Sequence, residues 1–254
     1  MCTLSTAASG SIFLATMNRD ERRHRLEGPL VRTDNFCYPT DAHAGGTWCG
    51  VNRYGLVFCL LNRYDAPLSE SKSMISRGNI IPKALECQTV DEAAELINRL
   101  ELERYNGFRL QVLSSSVCRQ YDWDRQALSS SEHESPNGIF SSSSSLRSLT
   151  IPAERENRFR AWIQQQPDEV TAPMGGVIPS IHLPNAGVPP SEAMFMVRRE
   201  THTKSICQLA IGDGKAQLYY WPAQFGFSSN RMEHWSAELQ IVNCPTVENA
   251  KTRH

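Results

Sequence analysis

Leu56-Val57-Phe58-Cys59-Leu60-Leu61 is the stretch that most restricts how this chain can fold. Six apolar residues follow the turn Asn52-Arg53-Tyr54-Gly55 and end at Asn62, a pattern that reads as a strand. Successive side chains of a strand point to opposite faces, so a strand apolar at every position must be covered above and below. The protein therefore has to be layered, with a sheet in its interior. Gly45-Gly46-Thr47-Trp48-Cys49-Gly50-Val51 reads as the strand that enters the turn. At 254 residues the chain is at the upper end of what one core supports, and it reads as one domain over 1–244 with a polar tail over 245–254.

The other elements follow from punctuation and periodicity. Thr89-Val90-Asp91-Glu92 is a capping box, and Ala93, Leu96, Ile97 and Leu100 make an apolar stripe at helical spacing up to Gly107. Ser76 to Leu85 reads as a helix with Pro82 as a possible kink. Pro152 opens a second amphipathic segment with Phe159, Trp162 and Ile163 inward, and a short helix is expected from Ser191 to Val197. Phe108 to Leu113 pairs with Val117 to Trp123. Three further strands are expected at Ser205–Ile211, Ala216–Trp221 and Trp235–Val242. The segment around Pro29 and Pro39, the broken stretch Pro173–Pro190 and the serine-rich stretch 129–145 read as loops. Strands at both ends with helices between them suit two antiparallel sheets covered by helices, an α+β arrangement.

At the amino terminus, Cys2 opens an alternating run. Ser9-Gly10 signals a turn, and Ile12-Phe13-Leu14-Ala15 returns as a second strand. The hairpin brings Asn18-Arg19-Asp20-Glu21 back beside Cys2. If Met1 is removed, Cys2 carries a thiol nucleophile and a free amine, with a pKa of about 7.7–8.0, on one residue. The net charge of −1 gives no footprint for nucleic acid or anionic membrane. No apolar run reaches the roughly 20 residues that a spanning helix needs. Eight cysteines without a CxxC pair read as free thiols in a cytoplasmic protein, and the seven histidines lack metal-ligand spacing, so no metal site is expected.

Met1-Cys2-Thr3, Asn18-Arg19-Asp20-Glu21, Gly45-Gly46-Thr47-Trp48, Gly50-Val51-Asn52 with Gly55, Leu61-Asn62, Ser76-Arg77-Gly78 and Tyr105-Asn106-Gly107-Phe108 occur in this order. Together they resemble the NRDE family, also called the Transport and Golgi organisation protein 2 family. The family is similar to the N-terminal nucleophile (Ntn) hydrolases, and within them to the cysteine amidases that cleave bile salts and penicillin V. The resemblance implies a four-layer αββα sandwich of two antiparallel sheets. It implies Cys2 as nucleophile, Asp20 as the carboxylate that orients its amine, and Asn62 as oxyanion donor, with Asn18, Arg19, Trp48 and Lys204 as binding residues.

Three positions depart from these relatives. Met17 stands where the amidases have an arginine; Arg19 is the nearest substitute and is expected to point to the opposite face of the strand. Ser143-Ser144 stands where the NRDE family has a Ser-Asn block, so a second amide donor is missing. Lys204 replaces an arginine, and the two differ for bidentate anion binding. Two functions are compatible with the resemblance. One is hydrolysis of a C–N bond of a small molecule through Cys2, which requires no cofactor. The other is a non-enzymatic role in haem trafficking, with haem as ligand, or in lipid or acyl-CoA handling. Neither fixes the oligomeric state.

Overall fold

The computed structural model describes residues 2–9, 12–71, 73–165, 176–222 and 235–242. Two antiparallel sheets stack face to face, with helices on their outer surfaces. The first sheet is formed by β1 (Cys2–Ser9), β2 (Ile12–Arg22), β10 (Phe140–Ser142), β11 (Thr201–Gly212), β12 (Lys215–Pro222) and β13 (Trp235–Gln240), in the order β10-β1-β2-β11-β12-β13. The second is a meander of β3 (Glu27–Arg32), β4 (Phe36–Asp41), β5 (Cys49–Asn52), β6 (Val57–Asn62), β7 (Phe108–Leu113), β8 (Cys118–Trp123) and β9 (Leu128–His133), each beside the next.

Strand β6 has the two-sided cover that its sequence demands. Val57, Cys59 and Leu61 join Leu4, Met17, Cys207 and Leu209 of the first sheet in the central core. Leu56, Phe58 and Leu60 pack on the other side against Ile80, Ile81, Ala93 and Ile97. Those residues belong to α1 (Ile80–Ala84) and α2 (Val90–Asn98), which form one outer layer. Thr89 caps α2 through its Oγ1, which accepts from Glu92 N at 3.1 Å. The Glu92 carboxylate reaches Gln88 N at 2.7 Å, one residue before the expected partner, and the helix ends at Asn98, well before Gly107. On the other side α3 (Thr150–Gln164) stacks Phe159 on Phe140 of β10 with ring centroids 5.0 Å apart. Pro152 lies in its first turn, where no amide donor is needed.

Several expected loops and helices are corrected by the fold. The Pro29 and Pro39 region is not a loop but strands β3 and β4, with Leu30 opposite Pro39. A register shift between Glu27 and Leu30 absorbs Pro29 at the sheet edge, where a missing amide is tolerated. The serine-rich stretch likewise supplies edge strands β9 and β10, because an edge needs backbone hydrogen bonds rather than apolar side chains. Of the expected strand Gly45–Val51 only Cys49 onward is strand, and of the expected helix Ser76–Leu85 only Ile80–Ala84 is α-helical, after a 3₁₀ turn at Arg77–Asn79.

Ser191 to Val197 forms no helix. Its carbonyls are taken by distant side chains instead of by its own amides: Ala193 O accepts from Arg155 Nη2 at 2.6 Å and Met194 O from Asn18 Nδ2 at 3.1 Å. The 245–254 tail and residues 173–175 lie outside the described residues. No helix among those described is long and apolar enough to cross a membrane.

Candidate functional site

The β1–β2 hairpin sets Cys2 directly opposite Arg19. Residues two apart on a strand share a face, so Met17 and Arg19 both face the inside of the sandwich with Cys2. The expectation that Arg19 points the other way is thereby corrected. Met17 is buried in the central core. Arg19 lies one step nearer the end of the sandwich, where a cavity of about 90 Å³ opens between the sheets. Cys2, Arg19, Asp20, Trp48, Asn62 and Arg77 all line it.

A buried ion network forms one wall. The Arg19 guanidinium donates to Glu27 Oε1 at 3.0 Å and to Asp41 Oδ2 at 2.7 Å, and its carbon sits 4.4 Å from the centre of the Trp48 ring. Asp41 Oδ2 also accepts from Arg25 Nε at 2.8 Å, and Glu27 takes donors from Ser205 Oγ and Tyr220 Oη. Burial alone would raise the Asp41 pKa, but Arg19 and Arg25 hold it below the ordinary carboxylate value.

Asp20 occupies the other face of β2. Its Oδ1 accepts from Thr203 Oγ1 at 2.6 Å. Burial raises its pKa, opposed chiefly by the charge of Arg155. Asp20 and Arg19 are adjacent in sequence, and the carboxylate of Asp20 and that of Glu27, the partner of Arg19, take hydroxyl donors on opposite faces. A bulge in β11 meets this need: Thr203 pairs with Asp20 and Ser205 with Arg19, leaving Lys204 as the extra residue. Thr203 thus serves Asp20 on one face while Ser205 serves Glu27 on the other.

Cys2 is 7 % exposed. Its backbone nitrogen donates to Ser143 Oγ at 3.1 Å, and Ser143 N returns a bond to Cys2 O at 2.9 Å. Burial pushes the Cys2 thiol up to about 11. Asn62, at the end of β6, donates through Nδ2 to Tyr64 Oη at 3.1 Å, which leaves one amide hydrogen for another acceptor. Asn62 also lines an adjacent polar cavity of about 170 Å³ that contains Ser143 and Arg109.

Residues 1–213 match the family model described as Transport and Golgi organisation 2. The chain belongs to this family. No curated protein sequence gives a significant match. Among solved structures, two variants of the conjugated bile acid hydrolase from Clostridium perfringens are similar to it. One is 12% identical with a TM-score of 0.55 and covers 92% of each chain. The other is 10% identical with a TM-score of 0.54 and covers 97% of this chain and 99% of that one. At this identity the likeness concerns the fold, and this member of the Transport and Golgi organisation 2 family has the two-sheet architecture of Ntn hydrolases.

Two residues expected to bind ligand lie away from the Cys2 cavity. Asn18 faces outward from the sandwich and is committed there: Nδ2 donates to His182 O and Met194 O, both at 3.1 Å. Its Oδ1 accepts from His182 Nδ1, and His182 Nε2 in turn accepts from Ser5 Oγ at 2.6 Å. Burial lowers the His182 pKa to about 3, which keeps this clamp neutral. Lys204 donates to Arg23 O at 3.1 Å and lines a different, larger cavity of about 650 Å³ with Phe195, His202, Tyr220 and Trp235. Conversely, Asp41 and Arg77 line the Cys2 cavity and Ser143 holds the Cys2 nitrogen, although the sequence assigned none of them a role there. For Arg77 a signal existed, since Ser76-Arg77-Gly78 is among the blocks shared with the family.

Proposed function

We propose that this chain, once Met1 is removed, hydrolyses a C–N bond of a small molecule with Cys2 as nucleophile. The observation that carries the reading is the meeting of Cys2, Asp20 and Asn62 at one cavity on this fold. The thiolate attacks the acyl carbon, and the spare Asn62 amide hydrogen meets the developing oxyanion. The C–N bond then breaks, the leaving amine takes the thiol's proton by way of the Cys2 amine, and water cleaves the thioester. Ser143 Oγ, already bonded to the Cys2 nitrogen, and the Asp20 carboxylate orient that amine.

The fold neighbours in Clostridium perfringens, hydrolases of conjugated bile acid, support amides as the substrate class. The seven described cysteines are all buried free thiols, which suits a reducing compartment such as the cytosol.

Turnover of a panel of N-acyl amino acids tests the proposal. The chain with Met1 removed, verified by intact mass, is expected to hydrolyse at least one member. Cys2→Ala and a chain carrying one extra residue before Cys2 are expected to lose all turnover. Equal hydrolysis by the extended chain, or none by any form, sinks the reading.

A second reading, a haem carrier, is favoured by one observation. His202 lines the 650 Å³ cavity beside Phe195, Tyr220 and Trp235, and its buried Nδ1 has no hydrogen-bond partner among the described residues. Burial lowers its pKa below 6.5, so the neutral ring keeps a lone pair suited to an iron ligand. Lys204 and Arg23 supply positive charge for haem carboxylates. Hemin titration should then give a saturable Soret band that His202→Ala weakens at least tenfold in affinity; an unchanged titration in that variant removes the reading.

A further inference from the structure

Three arginines line the Cys2 cavity, and two of them are committed to acids. Arg19 pairs with Glu27 and Asp41, and Arg25 with Asp41 and Glu21. Arg77 differs. Among the described residues its one hydrogen bond is from Nη1 to Gly107 O at 2.9 Å, and no carboxylate of theirs lies within 4.0 Å of it. It is half-buried. A cation held in that position without an anion is costly unless a ligand supplies one.

The second observation is Trp48, on the same cavity. Its ring is fixed under Arg19, and its indole Nε1–H is buried without an acceptor among the described residues. Buried donors are nearly always paired, so this cavity lacks an oxygen as well as a negative charge.

The backbone is built to hold Arg77 there. Thr47 N donates to Gly78 O at 3.0 Å, and the two segments approach so closely that neither glycine has room for a side chain. A Cβ on Gly46 would lie 2.5 Å from Gly78 C, and one on Gly78 would lie 2.9 Å from Thr47 O. The blocks Gly45-Gly46-Thr47-Trp48 and Ser76-Arg77-Gly78 therefore form one device. Their glycines let the two segments touch, and Trp48 and Arg77 of the same blocks both line the cavity.

We infer that Arg77 and Trp48 form an anion subsite beside Cys2, which recognises a carboxylate on the ligand. The inference rests on the hydrolase reading for Cys2 as nucleophile, and it narrows the substrate to one with a carboxylate close to the scissile bond. A planar guanidinium matches a carboxylate in two-point contact, and a cavity of about 90 Å³ admits such a terminal group rather than a whole drug-sized molecule.

Two alkylating reagents of similar size test this without knowledge of the substrate. Iodoacetate carries a carboxylate and iodoacetamide does not; in each the Cys2 sulfur bonds the CH2 carbon and iodide is released to solvent. In the full chain with Met1 removed, with modification mapped to Cys2, Arg77→Gln is expected to lower the iodoacetate rate about tenfold and to leave the iodoacetamide rate unchanged. Arg77→Lys is expected to restore part of the preference. An equal fall in both rates would mean that Arg77 only shapes the cavity, and would overturn the subsite.

Should Cys2 react with neither reagent, the nucleophile reading fails on its own, and propionate decides the subsite. Saturating propionate is expected to raise the Tm of the wild-type chain and not that of Arg77→Gln. The same shift in both, or in neither, overturns it.

Discussion

Replacing Arg19 by methionine is expected to lower the unfolding free energy by about 3–5 kcal/mol, read from urea unfolding at neutral pH. Methionine fills most of the volume and keeps the strand, so the loss reports on charge. Arg19 is 4% exposed and its partners Glu27 and Asp41 are 10% and 9% exposed. Removal of the guanidinium leaves two buried carboxylates facing each other across the position it held. Asp41 keeps Arg25 and the amides of His43 and Ala44. Among the described residues Glu27 keeps only the hydroxyls of Ser205 and Tyr220, so most of the cost falls on Glu27. Adding Glu27→Gln to the variant is therefore expected to recover part of the loss, because removing both charges is far cheaper than removing one.

The pH dependence follows from the direction of the Asp41 shift. Its pKa is below 3.8 in the folded chain, so the unfolded chain binds the proton more readily. Its contribution is present above the unfolded value and is lost as pH falls through the folded one. Without Arg19 the folded pKa rises toward the unfolded value, so the part of the acid loss of stability that Asp41 contributes becomes smaller. A destabilisation under about 1 kcal/mol, or an acid limb as steep as that of the wild-type chain, would show that the network is a weak surface-type cluster despite its burial.

How far the sequence foretold this arrangement depends on where each residue's partner lies. Strand β6 was legible because both its faces are apolar, and both are covered. Helix α2 was legible because its cap is local, from Gln88 to Glu92. Strands β3 and β10 were not, since an edge strand with proline or serines has the composition of a loop and is held by backbone bonds to a neighbour far away in sequence.

The site divides in the same way. Cys2, Asp20, Asn62 and Trp48 are reached through short motifs, and the fold gathers them at one cavity. Ser143 meets Cys2 N across 141 residues of sequence, which no periodicity records. The departure read there, serine in place of an asparagine, falls on its neighbour Ser144, whose hydroxyl accepts from Arg198 Nη2 at 3.0 Å. Thr203 and Ser205 depend on a bulge whose only sequence trace is the unpaired Lys204, a residue that drew notice as an anion binder instead. Asn18 belongs to the most visible motif of the chain, yet strand alternation sends it to the opposite face from Arg19.

Alkylation of Cys2 is expected to be the sharpest measure of whether the amine matters. In a chain whose Cys2 nitrogen is a peptide amide, the thiol at about 11 is ionised in roughly one molecule in ten thousand at neutral pH. An ordinary cysteine thiol, near 8.5, is ionised in about one in thirty. The more basic thiolate is the better nucleophile, which offsets part of the difference and leaves the blocked chain about 20-fold slower than free cysteine. With Met1 gone, the Cys2 amine lies within one residue of the sulfur, held by Ser143 Oγ, and can take the thiol proton without a partner histidine. The free-amine chain is then expected to react at least as fast as free cysteine, with a rate that levels off above about pH 8, where the amine is already deprotonated. The blocked chain should instead keep accelerating through pH 9 and beyond, since its thiol is still protonated there. The cavity wall limits reagent access equally in both forms, so it cancels in their ratio. Identical rates and pH profiles in the two forms would mean that the amine contributes nothing, and Cys2 would then be one more buried thiol at the end of a strand.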